Sequence, residues 1–286
     1  MPARFLMWAG GRTESMPLFW LRVAVVLYGI GLIYALLILV RRSDLLGRIA
    51  LHAAGLAMVF HFVSLAEAFA AERTLLLASI HNSESLLAFV VMVGFMLVYW
   101  RYQTTTPGVF VFPLVFLLTF VSAMGGQKIV LATPLVRNGW IIAHIVMIFT
   151  GYAALVLSFG ASLLYLVGER ALKAKRPGGI LGKLPPLETI DQIGYRSLLL
   201  GFPFMTLGLV AGSVVAQARF GAVYFRDPKV LLSLLMWAVY VLMLYTRWNS
   251  GWRGRRAAYL ATFAFLAAVV AWAANFFSGV HRFVSP

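Results

Sequence analysis

Eight apolar runs divide this chain, at residues 18–40, 49–70, 85–100, 109–124, 139–167, 195–216, 228–245 and 257–277. A helix needs roughly 20 apolar residues to cross a bilayer core of about 30 Å. In hydrocarbon every backbone N–H and C=O must find a partner within the chain, so helices are the spanning form open to these runs. With 62% hydrophobic residues, 12% charged residues and a mean hydropathy of +0.90, the sequence is excluded from the ordinary soluble domains. The expected fold is all-α, an integral membrane protein of about eight transmembrane helices. The third and fourth runs are short, while the fifth is long enough to project from the bilayer or lean in it. Residues 1–17 are expected to form an irregular or interfacial tail, and 18–286 a single polytopic membrane domain. The first run is too long for a cleavable signal and lacks an A-x-A exit, so it reads as a true span.

Charge orients the bundle. Lysine and arginine number 24 against 9 aspartates and glutamates, a net charge of +15 and a pI of about 10.7. Fourteen of the 24 cations follow the odd-numbered runs. The excess of cations on cytoplasmic loops then places those loops in the cytoplasm and both termini outside. Because the cations gather at span edges, their expected partner is the lipid bilayer and not nucleic acid. Cysteine is absent. That excludes covalent haem attachment through C-x-x-C-H, disulfide exchange and thiolate metal sites on this chain.

A basic, Pro/Gly-rich link at 169–196 separates five runs from the last three. It carries K-A-K-R-P-G-G and Lys183-Leu184-Pro185-Pro186, which cannot continue a helix. Residues 187–193 then read as a short interfacial helix. Gly178-Gly179-Ile180-Leu181-Gly182-Lys183 is one residue short of a phosphate loop, and Leu184 stands where Ser or Thr would hold magnesium; a glycine-rich turn is the better reading. Gly208 and Gly212 form a G-x-x-x-G pair suited to close helix packing.

The loop from Gln217 to Lys229, Q-A-R-F-G-A-V-Y-F-R-D-P-K, offers aromatic rings at Phe220, Tyr224 and Phe225, cations at Arg219, Arg226 and Lys229, a permissive Gly221 and the turn Asp227-Pro228. Counting spans puts it on the same side as His144 and His281. Two neutral imidazoles approaching from opposite sides can ligate haem iron, rings can stack on the porphyrin, and guanidinium groups can pair with propionates. The same residues also suit a plain interfacial belt with anchoring cations. His61, inside the second run, is a functional candidate by depth or a helix-to-helix hydrogen bond.

From about Trp140 onward the chain resembles the cytochrome c assembly family, the haem-handling membrane proteins of the CcsA and ResC type. The resemblance rests on Trp140-Ile141-Ile142-Ala143-His144, Leu187-Glu188-Thr189-Ile190-Asp191 with Gly194-Tyr195-Arg196, Gly201-Phe202-Pro203, Asp227-Pro228-Lys229, Gly251-Trp252-Arg253-Gly254-Arg255-Arg256 and a closing His281. Glu84-Ser85-Leu86 matches more loosely. The family's outer loop is rich in tryptophan; here Phe220, Tyr224 and Arg226 occupy those places, while Gly221 and Asp227 remain. The resemblance implies haem b held without a covalent bond, its iron between His144 and His281 as axial ligands. Phe220, Gly221, Tyr224, Phe225, Arg226 and Asp227 would form the surrounding surface. It further implies delivery to apocytochrome c with a synthesis partner protein, in a bacterial cytoplasmic membrane. No catalytic motif accompanies this, so the expectation is an assembly factor and not an enzyme. The rival readings are a membrane regulator of tetrapyrrole biosynthesis and a haem-free scaffold subunit of a membrane complex.

Overall fold

The computed structural model describes residues 3–41, 43–72, 80–124, 139–175, 184–220 and 227–273. Within them the chain forms eight helices: α1 (Ala3–Val40), α2 (Asp44–Glu72), α3 (Ile80–Tyr102), α4 (Gly108–Met124), α5 (Gly139–Lys173), α6 (Leu187–Phe220), α7 (Pro228–Asn249) and α8 (Arg255–Ala273). Six of these contain a stretch long and apolar enough to cross a membrane, and α4 is a shorter apolar helix. The protein is therefore a multi-pass, all-α membrane protein.

Two boundaries depart from expectation. Residues 3–16 are not irregular: the backbone is already helical at Ala3 and runs on into the first span. Ala, Arg, Leu and Met are good helix formers, and no proline interrupts them before Pro17. The Pro17 carbonyl accepts a hydrogen bond from Ser64 Oγ at 2.6 Å, which ties this point of α1 to α2. Likewise, residues 187–193 are not a separate interfacial helix but the first turns of α6. The Pro186 carbonyl accepts the Ile190 N–H at 3.1 Å, so the helix restarts at once after the two prolines. Gly194 does not break it, because Ile190 and Ile193 are both buried and their packing outweighs a glycine cost of about 1 kcal/mol.

The backbone packs as two compact units, residues 1–92 with 112–137, and residues 93–111 with 138–286. In the first, α1 lies on α2 through small residues, with Ala24, Ala54 and Ala57 fully buried. The Trp20 and Phe60 rings stack at 5.5 Å, and Trp20 Nε1 donates to Glu67 Oε1 at 3.1 Å.

The second unit is organised by an antiparallel α5–α6 pair of uniform register. His144 faces Gly212, Ile148 faces Gly208, Gly151 faces Met205, Ala154 faces Gly201, Ala161 faces Gly194 and Gly168 faces Leu187. Each of these six layers sets a glycine on one helix against a side chain on the other. Without a hydrophobic drive between helices in lipid, such close backbone approach supplies the attraction through dispersion contacts. Helices α7 and α8 close over this pair. Leu155, Leu198, Met205, Met236, Tyr240, Met243 and Ala264 form the shared core, and Tyr240 donates its hydroxyl to the Gly151 carbonyl at 2.8 Å.

Candidate functional site

His144 is the sixth residue of α5, near the end of the helix that also carries the half-exposed Trp140. Its Nδ1 lies 2.6 Å from the Gly208 carbonyl oxygen on α6. A carbonyl can only accept, so Nδ1 carries a proton, and in the neutral ring the lone pair then sits on Nε2. Histidines that bind metals commonly donate their other ring nitrogen to a carbonyl in this way, which sets ring orientation and raises ligand basicity.

Gly212, one turn further along α6, makes room for the ring. A Cβ at that position would stand 2.6 Å from His144 Cε1 and 2.7 Å from Nδ1, closer than any real contact. The G-x-x-x-G pair therefore does more than bring two helices together: one glycine supplies the acceptor and the other the space. Nothing in the sequence announces this, because it depends on the α5–α6 register.

Of the other residues expected in the site, Phe220 ends α6, eight positions beyond Gly212. Asp227 is buried at the start of α7, where its carbonyl accepts the Leu231 N–H at 3.1 Å. Gly221, Tyr224, Phe225, Arg226 and His281 lie outside the described residues.

His61 on α2 has the helix-to-helix role. It is completely buried, with Nε2 2.8 Å from Ser85 Oγ on α3 and Nδ1 3.4 Å from the Tyr28 hydroxyl on α1. The rings of Tyr28 and Phe89 meet it edge-on. Replacing His61 by Leu is expected to leave both hydroxyls short of a partner and to cost about 1–2 kcal/mol of unfolding free energy. Denaturant titration in detergent measures this, and an unchanged midpoint would remove the cross-link from the account.

A second polar cluster, at the other end of the α5–α6 pair, was not anticipated. Asp191 on α6 accepts two hydrogen bonds from Arg247 on α7, Nη2 to Oδ2 at 2.6 Å and Nη1 to Oδ1 at 3.0 Å. Oδ1 also accepts the Gly254 N–H at 3.0 Å. The Arg247 guanidinium lies 4.6 Å from the centre of the Tyr195 ring, and Trp248 Nε1 donates to the Tyr195 hydroxyl at 2.7 Å. The turn between α7 and α8 needs glycine, since Gly251 and Gly254 have φ of 62° and 60°. At Gly254 the Tyr165 hydroxyl also occupies the space a side chain would need. One carboxylate thus gathers α6, α7 and the α7–α8 turn. Asp191, Tyr195 and Gly254 come from L-E-T-I-D, G-Y-R and G-W-R-G-R-R, while Arg247 and Trp248 lie outside those stretches; all five are joined only in space.

Fold and site together define a polytopic helical membrane protein in which a tightly packed helix pair presents an imidazole of assigned tautomer near one end. The family described as "Cytochrome C assembly protein" matches residues 20–281, and the chain belongs to it. Among curated proteins it is similar to the cytochrome c biogenesis protein CcsA of Prochlorococcus marinus (strain MIT 9312), with 30% identity over 166 residues, 51% of this chain and 54% of that protein. It is 30% identical over 210 residues to the CcsA of Guillardia theta, covering 66% of this chain and 69% of that one. With the CcsA of Chlamydomonas reinhardtii the figures are 32% over 135 residues, 46% and 36%. The chain spans about half the length of the Prochlorococcus relatives it matches.

Proposed function

We propose that the protein holds haem at one membrane face and passes it on during cytochrome c assembly. The observation that carries this reading is the His144 ring, with Nδ1 committed to the Gly208 carbonyl and the lone pair assigned to Nε2. Membership of the family and the names of the curated relatives support the process. The donor chemistry fits haem iron, which accepts nitrogen donors on both axial sides when bound.

In this reading the haem is haem b, held without a covalent bond. His144 supplies one axial nitrogen and His281 the other. Phe220, Tyr224 and Phe225 offer ring faces, Gly221 allows close backbone approach, and Arg226 pairs with a propionate beside Asp227. With no cysteine on the chain, thioether formation belongs to the thiols of apocytochrome c, and a synthesis partner protein joins the transfer. The chain forms one polytopic domain in a bacterial cytoplasmic membrane, with both termini and the haem face outside and the 169–196 link inside. Its work is custody: binding, orienting and releasing.

The test is an absorption spectrum of the protein purified in mild detergent. The expected wild-type spectrum is that of a six-coordinate bis-histidine haem. His144→Ala and His281→Ala should each reduce retained haem about tenfold or more, the loss of one of two axial ligands. Unchanged haem content in both variants would refute the assignment.

A further inference from the structure

Two arginines from different helices converge on one tyrosine where α3 ends. Arg101 Cζ lies 5.4 Å from the centre of the Tyr102 ring, and Arg196 Cζ, arriving from α6, lies 5.9 Å from it. Both arginines are exposed. The ion pairs formed between described residues, Lys173–Glu169 and Arg247–Asp191, involve neither of them. The Tyr102 phenol oxygen is buried and makes no hydrogen bond.

A neighbouring cluster of the same composition shows what is missing. Arg247 also covers a tyrosine ring, that of Tyr195, but Asp191 neutralises it and Trp248 donates to the phenol. At Tyr102 the cation–ring geometry is repeated and doubled, with neither a carboxylate nor a donor among the described residues. Two guanidinium groups flanking one phenol are suited to an oxyanion, because their planar forks and the O–H can all donate to it.

Depth selects the class of anion. The apolar span of α3 ends at Tyr102, so this level is the edge of the hydrocarbon core. Trp100, 76% exposed, stands beside it as a belt residue, and Leu97, Leu199 and Leu200 present exposed apolar surface about one turn away on α3 and α6. A free phosphate would use the cations alone. A phospholipid uses both features, its phosphate on the arginines and its chains along the leucines. We infer that Arg101, Tyr102 and Arg196 form a binding site for the phosphate of an anionic phospholipid.

The experiment uses the full chain, delipidated in mild detergent, with phosphatidylglycerol, phosphatidylcholine and inorganic phosphate as probes, read by native mass spectrometry and by thermal shift. Wild type should retain phosphatidylglycerol several-fold better than phosphatidylcholine. Arg101→Gln and Arg196→Gln should each lower that retention about fivefold, and the double variant should abolish the preference. Tyr102→Phe keeps the stacking ring and removes only the O–H, so it should fold normally and still bind about threefold more weakly, as expected for one lost hydrogen bond of ordinary net strength. Equal retention by wild type and the double variant overturns the site. Inorganic phosphate that stabilises wild type as well as the lipid does, or displaces it at equal concentration, overturns the lipid assignment in favour of a soluble phosphate.

Discussion

Asp191→Ala is expected to lower the unfolding free energy in detergent by about 3 kcal/mol. Removing one partner from an enclosed ion pair costs about 3–5 kcal/mol, since the other charge stays behind without compensation. Asp191 and Arg247 retain 14% and 12% side-chain exposure, which puts the expected loss at the lower end of that range. The same change leaves the Gly254 N–H without its acceptor and releases the α7–α8 turn from α6. Replacing both partners with apolar residues, Asp191→Leu with Arg247→Met, should recover most of the loss, because no charge is then stranded. A double-mutant cycle measured by denaturant unfolding isolates the coupling. Additive single and double effects would show that the pair stabilises nothing jointly.

The second large effect concerns the cradle of His144. Gly212→Ala adds one carbon where the imidazole already lies, 2.6 Å from Cε1 and 2.7 Å from Nδ1. Backbone holds the alanine in place, so the ring must swing off the Gly208 carbonyl, and the tautomer and orientation that bond imposes are lost. Retained haem should fall about tenfold or more, the usual consequence of removing a partner that orients a metal ligand. The bundle should survive, since a single methyl in a packed interface costs about 1–3 kcal/mol. Added imidazole discriminates between the two losses: it should restore a six-coordinate spectrum to Gly212→Ala and His144→Ala if the pocket persists, and it cannot do so for an unfolded bundle. Wild-type haem content in Gly212→Ala together with loss in His144→Ala would sink the cradle and leave the ligand. Retention in both would sink the ligand.

Much of the fold was legible because apolar length is a strong and local signal. All eight runs became helices, and the limits of α4, α5 and α7 begin within one residue of the expected positions. Helix ends were less legible. At Ala3 and Leu187 the helix continues through polar or proline-flanked sequence where composition alone suggested a stop. His144 could be singled out as an imidazole in an apolar segment, yet its hydrogen-bond acceptor could not, because a backbone carbonyl has no sequence signature. Asp191 stood within L-E-T-I-D with no indication of its partner, because Arg247 is 56 residues away and outside every stretch that carries the resemblance.

What the sequence by itself determined is the eight helices found among the described residues and their confinement to a membrane. These follow from composition and spacing along one dimension. Tertiary structure alone decided that Gly208 and Gly212 serve His144, that His61 joins three helices and that Asp191 gathers the α7–α8 turn. Each of those depends on the register of one helix against another, and register is selected by close packing of small residues in three dimensions.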